Sequence, residues 1–297
     1  MMKQTLKHQQ QNHFNQIYRK VVVYTPISST TENHNTTTLS SSTLTSPTNS
    51  SSNSTANSNL DFYFVHQRFE KSNHPKPNIQ SVVFDMDGTL TIPCIDFAKM
   101  RLETGIKAPN DLLNVIHALK DEKEKARIFG IIDRIEEEAN EKLEFQPHLF
   151  ELLDELIKLN MKKGNDHTIP LTEKHFAVVT RNSEKSLQFF ISKLGTKYSK
   201  IFTILLSRDF IPYKPNPGCL IHIAKSLNLP STKNMLMVGD SFHDIACAKE
   251  AGAYSCLYTS EMDWTEKHTT CVEENDPDFI CHDLRHVVNI LNYISSL

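Results

Sequence analysis

The stretch that decides the fold is IQSVVFDMDGTL, residues 79–90. Its opening residues, Ile79–Phe84, are mostly apolar and predict a buried strand that ends at Asp85. Asp85 and Asp87 lie two positions apart beyond this strand and so point to the same side, and Gly88 lets the chain turn sharply. Two carboxylates this close repel each other unless a cation or a proton lies between them. The stretch therefore predicts a buried strand followed by a functional turn, and two solvated aspartates are the simpler alternative.

Strand and helix patterns alternate through the rest of the chain. Further apolar runs of strand length occur at Phe176–Val179, Ile201–Leu206, Met235–Val238, Ala253–Tyr258 and Phe279–Cys281. Helical patterns occur at Pro147–Met161, Ser183–Leu194, Pro217–Leu227, Phe242–Ala251 and Asp283–Ile294. Asn216 fits the N-cap of the helix that starts at Pro217. Strands and helices that alternate through short connections pair in parallel, so we expect an α/β fold with a Rossmann-like parallel sheet core.

The alternation stops between the first strand and Pro147. Lys120–Leu143 places apolar residues at steps of three and four, which predicts one face of a helix. Asp96–Glu103 and Asp111–Leu119 also have helical patterns. The sequence therefore predicts a small helical cap, residues 93–146, inserted into an α/β core formed by residues 75–92 and 147–297.

The first 74 residues have the composition of a disordered N-terminal extension. Among the 32 residues of Ser28–Asn59 there are 11 Ser, 9 Thr and 6 Asn. Such a segment cannot bury enough apolar area to offset the entropy lost on ordering. Met1–Tyr24 contains basic residues and no acid, as mitochondrial transit peptides do, although it holds a single Arg. We expect a cytoplasmic protein, with a mitochondrial location as the alternative.

Composition excludes several classes of protein. The 297 residues include 32 basic and 35 acidic side chains, a net charge of −3, which argues against a nucleic-acid-binding protein. No apolar run reaches the ~18 residues of a membrane-spanning helix. The six cysteines form no C-x-x-C pair, so we expect reduced thiols rather than a disulfide framework. Nothing in the sequence indicates a protein partner.

Three other strand ends carry reactive side chains. Thr180 ends one strand just before a helix, where a hydroxyl can donate to a phosphate, although Asn182 or Ser183 would also suit an ordinary helix cap there. Lys214 is flanked by prolines, and its fixed ammonium suits a phosphate or a carboxylate. Asp240 and Asp244 lie one helical turn apart and can face one site, and Asp244 also fits a capping box.

Parallel strands bring their carboxyl ends to one crevice, where ligands bind in α/β sheets. We expect this crevice to collect Asp85, Asp87, Thr180, Lys214 and Asp240. Three carboxylates, a hydroxyl and a lysine form an oxygen-rich site for Mg²⁺ beside an anion-binding face. Such a site suits phosphoryl transfer to a carboxylate nucleophile.

Taken together, the motifs DMDGTL, VVTRN, YKPNP and VGDSFHD resemble those of the haloacid dehalogenase superfamily. The resemblance covers about Ile79–Leu257 and is strongest to the phosphatase branch with a helical cap, which includes phosphoglycolate phosphatases and β-phosphoglucomutase. Dehalogenases of this fold lack the second aspartate of the first motif, so Asp87 favours phosphate chemistry.

The resemblance implies a Mg²⁺-dependent phosphomonoesterase acting on a small phosphorylated metabolite. The roles it implies are nucleophile for Asp85; general acid and base for Asp87; Mg²⁺ ligands for Asp85, the backbone carbonyl of Asp87, Asp240 and Asp244; and phosphate binding for Thr180, Asn182 and Lys214. A phosphomutase shares every motif and differs in its cap. A non-catalytic binding protein of this fold would normally have lost one of the two aspartates of the first motif.

Overall fold

The computed structural model describes residues 63–64, 78–161, 174–259 and 266–296. The predicted N-terminal extension, apart from Tyr63–Phe64, lies outside these residues. So does most of Asn165–Lys174, a link between helix and strand that is longer than the resemblance leads us to expect. The domain boundaries inferred from the sequence stay a prediction.

In this part of the chain the strands are β1 Tyr63–Phe64, β2 Ser81–Phe84, β3 His175–Val179, β4 Phe202–Leu206, β5 Met235–Gly239, β6 Tyr254–Tyr258 and β7 Phe279–Cys281. They form one sheet in the order β1-β7-β6-β5-β2-β3-β4. All neighbours from β4 to β7 pair in parallel, which confirms the predicted Rossmann-like α/β core. β1 was not predicted: it pairs antiparallel with β7 at the edge of the sheet.

The helices are α1 Phe97–Thr104, α2 Leu112–Ala118, α3 Glu122–Asn140, α4 Leu149–Met161, α5 Glu184–Ser199, α6 Gly218–Ser226, α7 Phe242–Ala251, α8 Glu266–Asn275 and α9 His286–Ser296. The sequence prediction missed α8, because its sequence EKHTTCVEEN has no apolar stripe. None of the helices that the structure describes is long and apolar enough to cross a membrane.

The start of α6 corrects one detail of the sequence analysis. The helix begins at Gly218, and Pro217 rather than Asn216 occupies the N-cap position. The side chain of Asn216 still serves the helix start, because its Oδ1 accepts a hydrogen bond from the backbone N–H of Gly218 at 2.9 Å. The prediction was therefore wrong by one residue in the cap and right about the local role of the asparagine.

Alternate residues of β2 face two separate apolar layers, as the pleat of a strand requires. Val82 and Phe84 belong to one buried cluster, and Val83 belongs to the other. All four residues of β2 are buried. β2 is thus the middle of a sheet covered on both faces, which explains why its sequence is a continuous apolar run.

The helices α1–α3 lie between β2 and α4 and form the cap. Their buried side chains make an apolar cluster of their own, consisting of Met100, Ile106, Leu112, Ile116, Ile128, Ile132 and Ile135. The chain enters and leaves the cap through two neighbouring segments. The backbone N–H of Ile92 donates to Glu144, and that of Gln146 donates to Leu90. The cap is therefore a small second body attached to the sheet by a pair of adjacent connections.

Candidate active site

The carboxyl ends of the three central strands place their next residues side by side. Asp85 follows β2, Thr180 follows β3 and Asp240 follows β5, and these strands are neighbours in the sheet. The hydrogen bonding of the sheet continues one residue beyond the strands: the N–H of Asp85 donates to Val238 and that of Thr180 to Leu206, each at 2.9 Å. This continuation fixes the backbone from which the site side chains project.

Lys214 is the buried centre of the site. Its side chain reaches in from the loop before α6, and only 1% of the residue is exposed. The ammonium donates to Oδ1 of Asp85 and to Oδ1 of Asp244, both at 2.6 Å, and to the carbonyl of Val179 at 2.7 Å. One lysine thus joins residues from three different parts of the chain.

Three carboxylates surround this lysine. Oxygens of Asp85, Asp240 and Asp244 lie within 4.8 Å of one another. Two glycines make the approach possible. A Cβ on Gly88 would lie 2.6 Å from Cγ of Asp240, and one on Gly239 would lie 2.2 Å from Cγ of Asp244, both closer than real contacts allow. Gly88 also has φ of +91°, a conformation that favours glycine.

The electrostatics of this group fit a divalent cation. Burial raises the pKa of Asp85 to about 8, with Lys214 opposing the effect and the two other carboxylates adding to it. Burial also acts to raise the pKa of Asp244, but Lys214 and hydrogen bonds from Ser241 keep it below its ordinary value. Burial acts to lower the pKa of Lys214, and its two carboxylate partners outweigh that effect and raise it. A cation beside the three carboxylates would favour the ionised form of Asp85, and an all-oxygen donor set of this kind suits Mg²⁺.

Asp244 has two structural roles at once. It is fully buried at the start of α7, and its Oδ2 accepts hydrogen bonds from the backbone N–H of Ser241 at 3.1 Å and from the hydroxyl of Ser241 at 2.6 Å. Its other oxygen receives Lys214. The capping interaction expected from the sequence therefore orients a carboxylate that also faces the site.

Asp87 is not a member of the three-carboxylate group. The loop that carries it folds around the carbonyl of Met86, which accepts hydrogen bonds from the backbone of Thr89, Leu90 and Thr91. Burial raises the pKa of Cys94, and the next largest contribution is the negative charge of Asp87. The carboxylate of Asp87 therefore lies within electrostatic reach of the segment that enters the cap, whereas Asp85 faces Lys214.

The loop after β3 brings Thr180 and Asn182 together. Thr180 is 2% exposed, and its hydroxyl oxygen accepts a hydrogen bond from the backbone N–H of Asn182 at 3.1 Å. The carbonyl of Asn182 accepts from the backbone of Arg208 at 3.0 Å. Ser183, and not Asn182, is the N-cap of α5. Thr180 thus has its oxygen fixed by the backbone at the inner end of the crevice.

A group of side chains joins the start of α2 in the cap to the loops around the site. Nη2 of Arg181 donates to Oδ2 of Asp111 at 2.6 Å, and Nη1 of Arg181 lies 2.6 Å from Nε2 of His243. The guanidinium lies over the ring of Tyr213, 5.3 Å from its centre. The hydroxyl of Tyr213 donates to Oδ1 of Asn114 at 2.9 Å. We call these five residues the crevice contact.

A second group joins α3 in the cap to the core. Glu136 is 3% exposed and forms an ion pair with Arg208. Its other oxygen accepts hydrogen bonds from the backbone of Ser183 at 3.0 Å and from the hydroxyl of Ser186 at 3.3 Å. A cap carboxylate thereby supports the first turn of a core helix. We call these four residues the buried contact.

The sequence motifs did not predict a role for the core residues of the crevice contact, although these residues lie within the motifs. Each adjoins a predicted site residue: Arg181 follows Thr180, Tyr213 precedes Lys214, and His243 precedes Asp244. This adjacency is the signal that was present in the sequence. Their cap partner Asp111 was not detectable, because 70 positions separate it from Arg181.

Comparison with known proteins agrees with this architecture. The family model described as haloacid dehalogenase-like hydrolase matches residues 79–252, more than half of the chain. A haloacid dehalogenase-like hydrolase domain-containing protein of Arabidopsis thaliana is 33% identical over 231 residues, which cover 73% of this chain and 85% of the plant protein. Pyrophosphatase PpaX of Oceanobacillus iheyensis is 22% identical and covers 72% of this chain and 97% of its own length.

Solved structures share the fold. The crystal structure of a predicted phosphoglycolate phosphatase from Haemophilus somnus aligns with a TM-score of 0.50 at 19% identity, over 71% of this chain and 97% of that structure. The order of the strands, the group of aspartates around a buried lysine and the matched family model all lead to one assignment. The chain belongs to the haloacid dehalogenase-like hydrolases, as its four motifs predicted.

Proposed function

We propose that this hydrolase is a Mg²⁺-dependent phosphomonoesterase that forms an aspartyl phosphate on Asp85 and acts on small phosphorylated metabolites. The observation that carries the proposal is Lys214, which holds Asp85 and Asp244 at 2.6 Å each beside the carboxylate of Asp240. The hydrogen bond from Lys214 fixes the direction of the Asp85 carboxylate, which is the proposed nucleophile. The remaining carboxylate oxygens of the group can then bind a cation.

The two aspartates of the first motif divide the chemistry. An oxygen of Asp85 attacks phosphorus, and the bond from phosphorus to the leaving oxygen breaks. Asp87 gives its proton to that oxygen, then takes a proton from the water that attacks the phosphoenzyme, which releases inorganic phosphate and restores Asp85. The surroundings of the two side chains support this assignment, because Asp85 accepts a hydrogen bond from Lys214 while the charge of Asp87 acts on Cys94 at the entrance to the cap.

Thr180, Asn182 and Lys214 would hold the oxygens of the transferred phosphoryl group. The hydroxyl of Thr180 accepts from the backbone of Asn182, so its own proton can be directed to a phosphate oxygen. The ammonium of Lys214 is positioned to offset the negative charge that develops during attack on the oxygens bound to phosphorus. Both groups act from buried positions, where such interactions are stronger than in water.

Asp85, the backbone carbonyl of Asp87, Asp240 and Asp244 would hold Mg²⁺. The bound cation would reduce the repulsion between these carboxylates and the incoming phosphate. Asp240 is the most informative ligand to change, because Asp85 is also the proposed nucleophile and Asp244 also receives the ammonium of Lys214. Asp240→Asn should raise the Mg²⁺ concentration that gives half-maximal rise in melting temperature, and Asp154→Asn on the surface of α4 should not. Full hydrolytic activity in a chelator would contradict the proposed metal dependence.

The test of the whole proposal compares Asp85→Asn with Asp87→Asn on two substrates. Asp85→Asn should stop turnover of every substrate, since no covalent intermediate can form. Asp87→Asn should nearly stop attack on an alkyl phosphate, whose leaving group needs a proton. Attack on p-nitrophenyl phosphate should continue because nitrophenolate leaves without one. General acid–base help is typically worth about 10²–10⁴-fold, so hydrolysis of the phosphoenzyme should become slow.

The expected observation for Asp87→Asn is a burst of nitrophenol with phosphate trapped on Asp85, measured by rapid quench and mass spectrometry. Asp154→Asn is the matched control, because it removes a carboxylate that pairs with Lys197 on the surface. Equal losses on both substrates with no burst and no phosphoenzyme would show that the roles of the two aspartates are assigned wrongly.

A further inference from the structure

One donor of Arg181, its Nε, has no partner among the residues that the structure describes. Its Nη2 donates to Asp111 and its Nη1 lies beside His243, but Nε is buried and has no hydrogen-bond partner within the described part of the chain. Nε and Nη2 lie on the same edge of a guanidinium, the edge that a carboxylate or phosphate binds with two oxygens. A buried donor of this kind costs free energy until an acceptor reaches it.

In this structure Asp111 satisfies one of the two donors on that edge. Its Oδ1 accepts a hydrogen bond from the backbone N–H of Asn114 at 3.0 Å and caps α2, so only Oδ2 remains for Arg181. The start of α2 thus fixes the Asp111 carboxylate where it accepts a hydrogen bond from Nη2 of Arg181 and not from Nε. An anion that is free to turn could present two oxygens to the same edge.

The position of Arg181 indicates which part of a substrate such an anion belongs to. Arg181 follows Thr180, which is on the sheet side of the crevice, and its guanidinium extends to Asp111 on the cap. The transferred phosphoryl group would lie on the sheet side, against Asp85 and Lys214. A group that reaches Arg181 therefore lies on the cap side, where the leaving group must be.

We propose that Arg181 is a specificity-determining residue that binds an anionic group on the leaving group, a carboxylate or a second phosphate, in the place that Asp111 occupies in this structure. The inference rests on the proposed phosphomonoesterase function, because it takes the phosphoryl group to lie against Asp85. It names a substrate class: phosphate esters or anhydrides whose leaving group carries negative charge.

The test measures binding, so that it does not depend on turnover. Calorimetry with Mg²⁺ in an Asp85→Asn background should compare 2-phosphoglycolate with 2-hydroxyethyl phosphate, which replaces the carboxylate by a neutral hydroxymethyl group. A second pair is methylenediphosphonate and methyl phosphate. The background protein should prefer the anionic member of at least one pair. Adding Arg181→Gln should reduce that preference by about 10- to 100-fold, the range expected for hydrogen bonds to a charged group.

Two further variants sharpen the test. Asp111→Asn should keep the cap of α2, because Asn and Asp cap equally well, and remove the competing charge. It should strengthen binding of the anionic member and leave the neutral member unchanged. Arg127→Gln is the matched control, because Arg127 forms an exposed ion pair with Glu124 on the cap helix α3, and it should leave the preference unchanged.

Equal weakening of both members of each pair in Arg181→Gln, or no preference in the background protein, would overturn the inference. Hydrolysis of p-nitrophenyl phosphate by the wild type is measured alongside. A wild type without hydrolysis but with a preference that depends on Arg181 would remove the proposed function and keep the anion site. Hydrolysis without a preference that depends on Arg181 would keep the proposed function and remove the anion site.

Discussion

Two core arginines, Arg208 and Arg181, pair with carboxylates of the cap, and the pairs Arg208–Glu136 and Arg181–Asp111 differ in burial. In the buried contact, 5% of the Arg208 side chain and 4% of the Glu136 side chain are exposed. In the crevice contact the corresponding values are 19% for Arg181 and 25% for Asp111. Both pairs join a guanidinium to a carboxylate, so the difference in burial decides how much free energy it costs to separate each pair.

Separating a buried pair leaves a charge without water or partner, which is far more costly than separating a pair that water can reach. Glu136 also holds the backbone of Ser183 at the start of α5, so its loss would disturb a core helix. The cap should therefore stay attached at the buried contact and open at the crevice contact, next to the proposed leaving-group site. One pair acts as a fixed attachment and the other as a contact that a substrate can replace.

The largest effect on stability is expected from Glu136→Gln. Among the residues that the structure describes, it leaves the buried guanidinium of Arg208 with only the half-exposed Asp133 as a charged partner. We expect a loss of about 3 kcal/mol in the free energy of unfolding, the lower end of the range for a broken buried pair. Urea unfolding of the wild type and the variant measures this change.

The control is the next residue, Glu137→Gln. Glu137 pairs with Lys185, and both side chains are about half exposed or more. Its loss should cost less than about 1 kcal/mol, as for other surface pairs. Similar losses at the two positions would show that burial does not distinguish the two kinds of contact.

The sequence predicted the parts of the fold that repeat a pattern. The parallel strands and the helices between them follow from apolar periodicity, and so does the apolar face of α3. The two parts that it missed have no such pattern. β1 consists of two residues, Tyr63 and Phe64, that pair with the sheet edge. α8 is polar along most of its length and begins after a gap in the described residues.

Some residues of the candidate site could also be predicted from the sequence, and some of its contacts could not. Asp85, Thr180 and Asp240 were predictable, because each ends an apolar strand and parallel strands bring their ends together. The contacts of Lys214 with two carboxylates and a carbonyl were not, since they depend on how its loop enters the core. The partners of Arg181 were also hidden, because cap docking is set by packing between distant segments and leaves no local pattern.

A smaller effect on stability is expected from the crevice contact, and two substitutions of Asp111 separate its parts. Asp111→Ala removes both the cap of α2 and the charge that pairs with Arg181, and should cost roughly 1–2 kcal/mol. Asp111→Asn keeps the cap and should cost less than about 1 kcal/mol. Urea unfolding checks both values. A loss in Asp111→Asn as large as that in Glu136→Gln would contradict the comparison between the two contacts.

The smallest effect is expected from pH, acting on the same carboxylate. Burial acts to raise the pKa of Asp111, but hydrogen bonds involving His243 and Arg181 outweigh it and hold the pKa well below the ordinary value of 3.8. A depressed pKa stabilises the folded protein above the ordinary value, and this contribution is lost as the pH falls towards the folded pKa. The difference in unfolding free energy between wild type and Asp111→Asn should therefore decline as the pH falls below about 4. Repeating the comparison in an Arg181→Gln background removes one of the hydrogen bonds that lower the pKa, so the decline should be weaker. A difference that grows towards acid pH, or a decline unaffected by Arg181→Gln, would show that this arginine does not hold Asp111 in its ionised form.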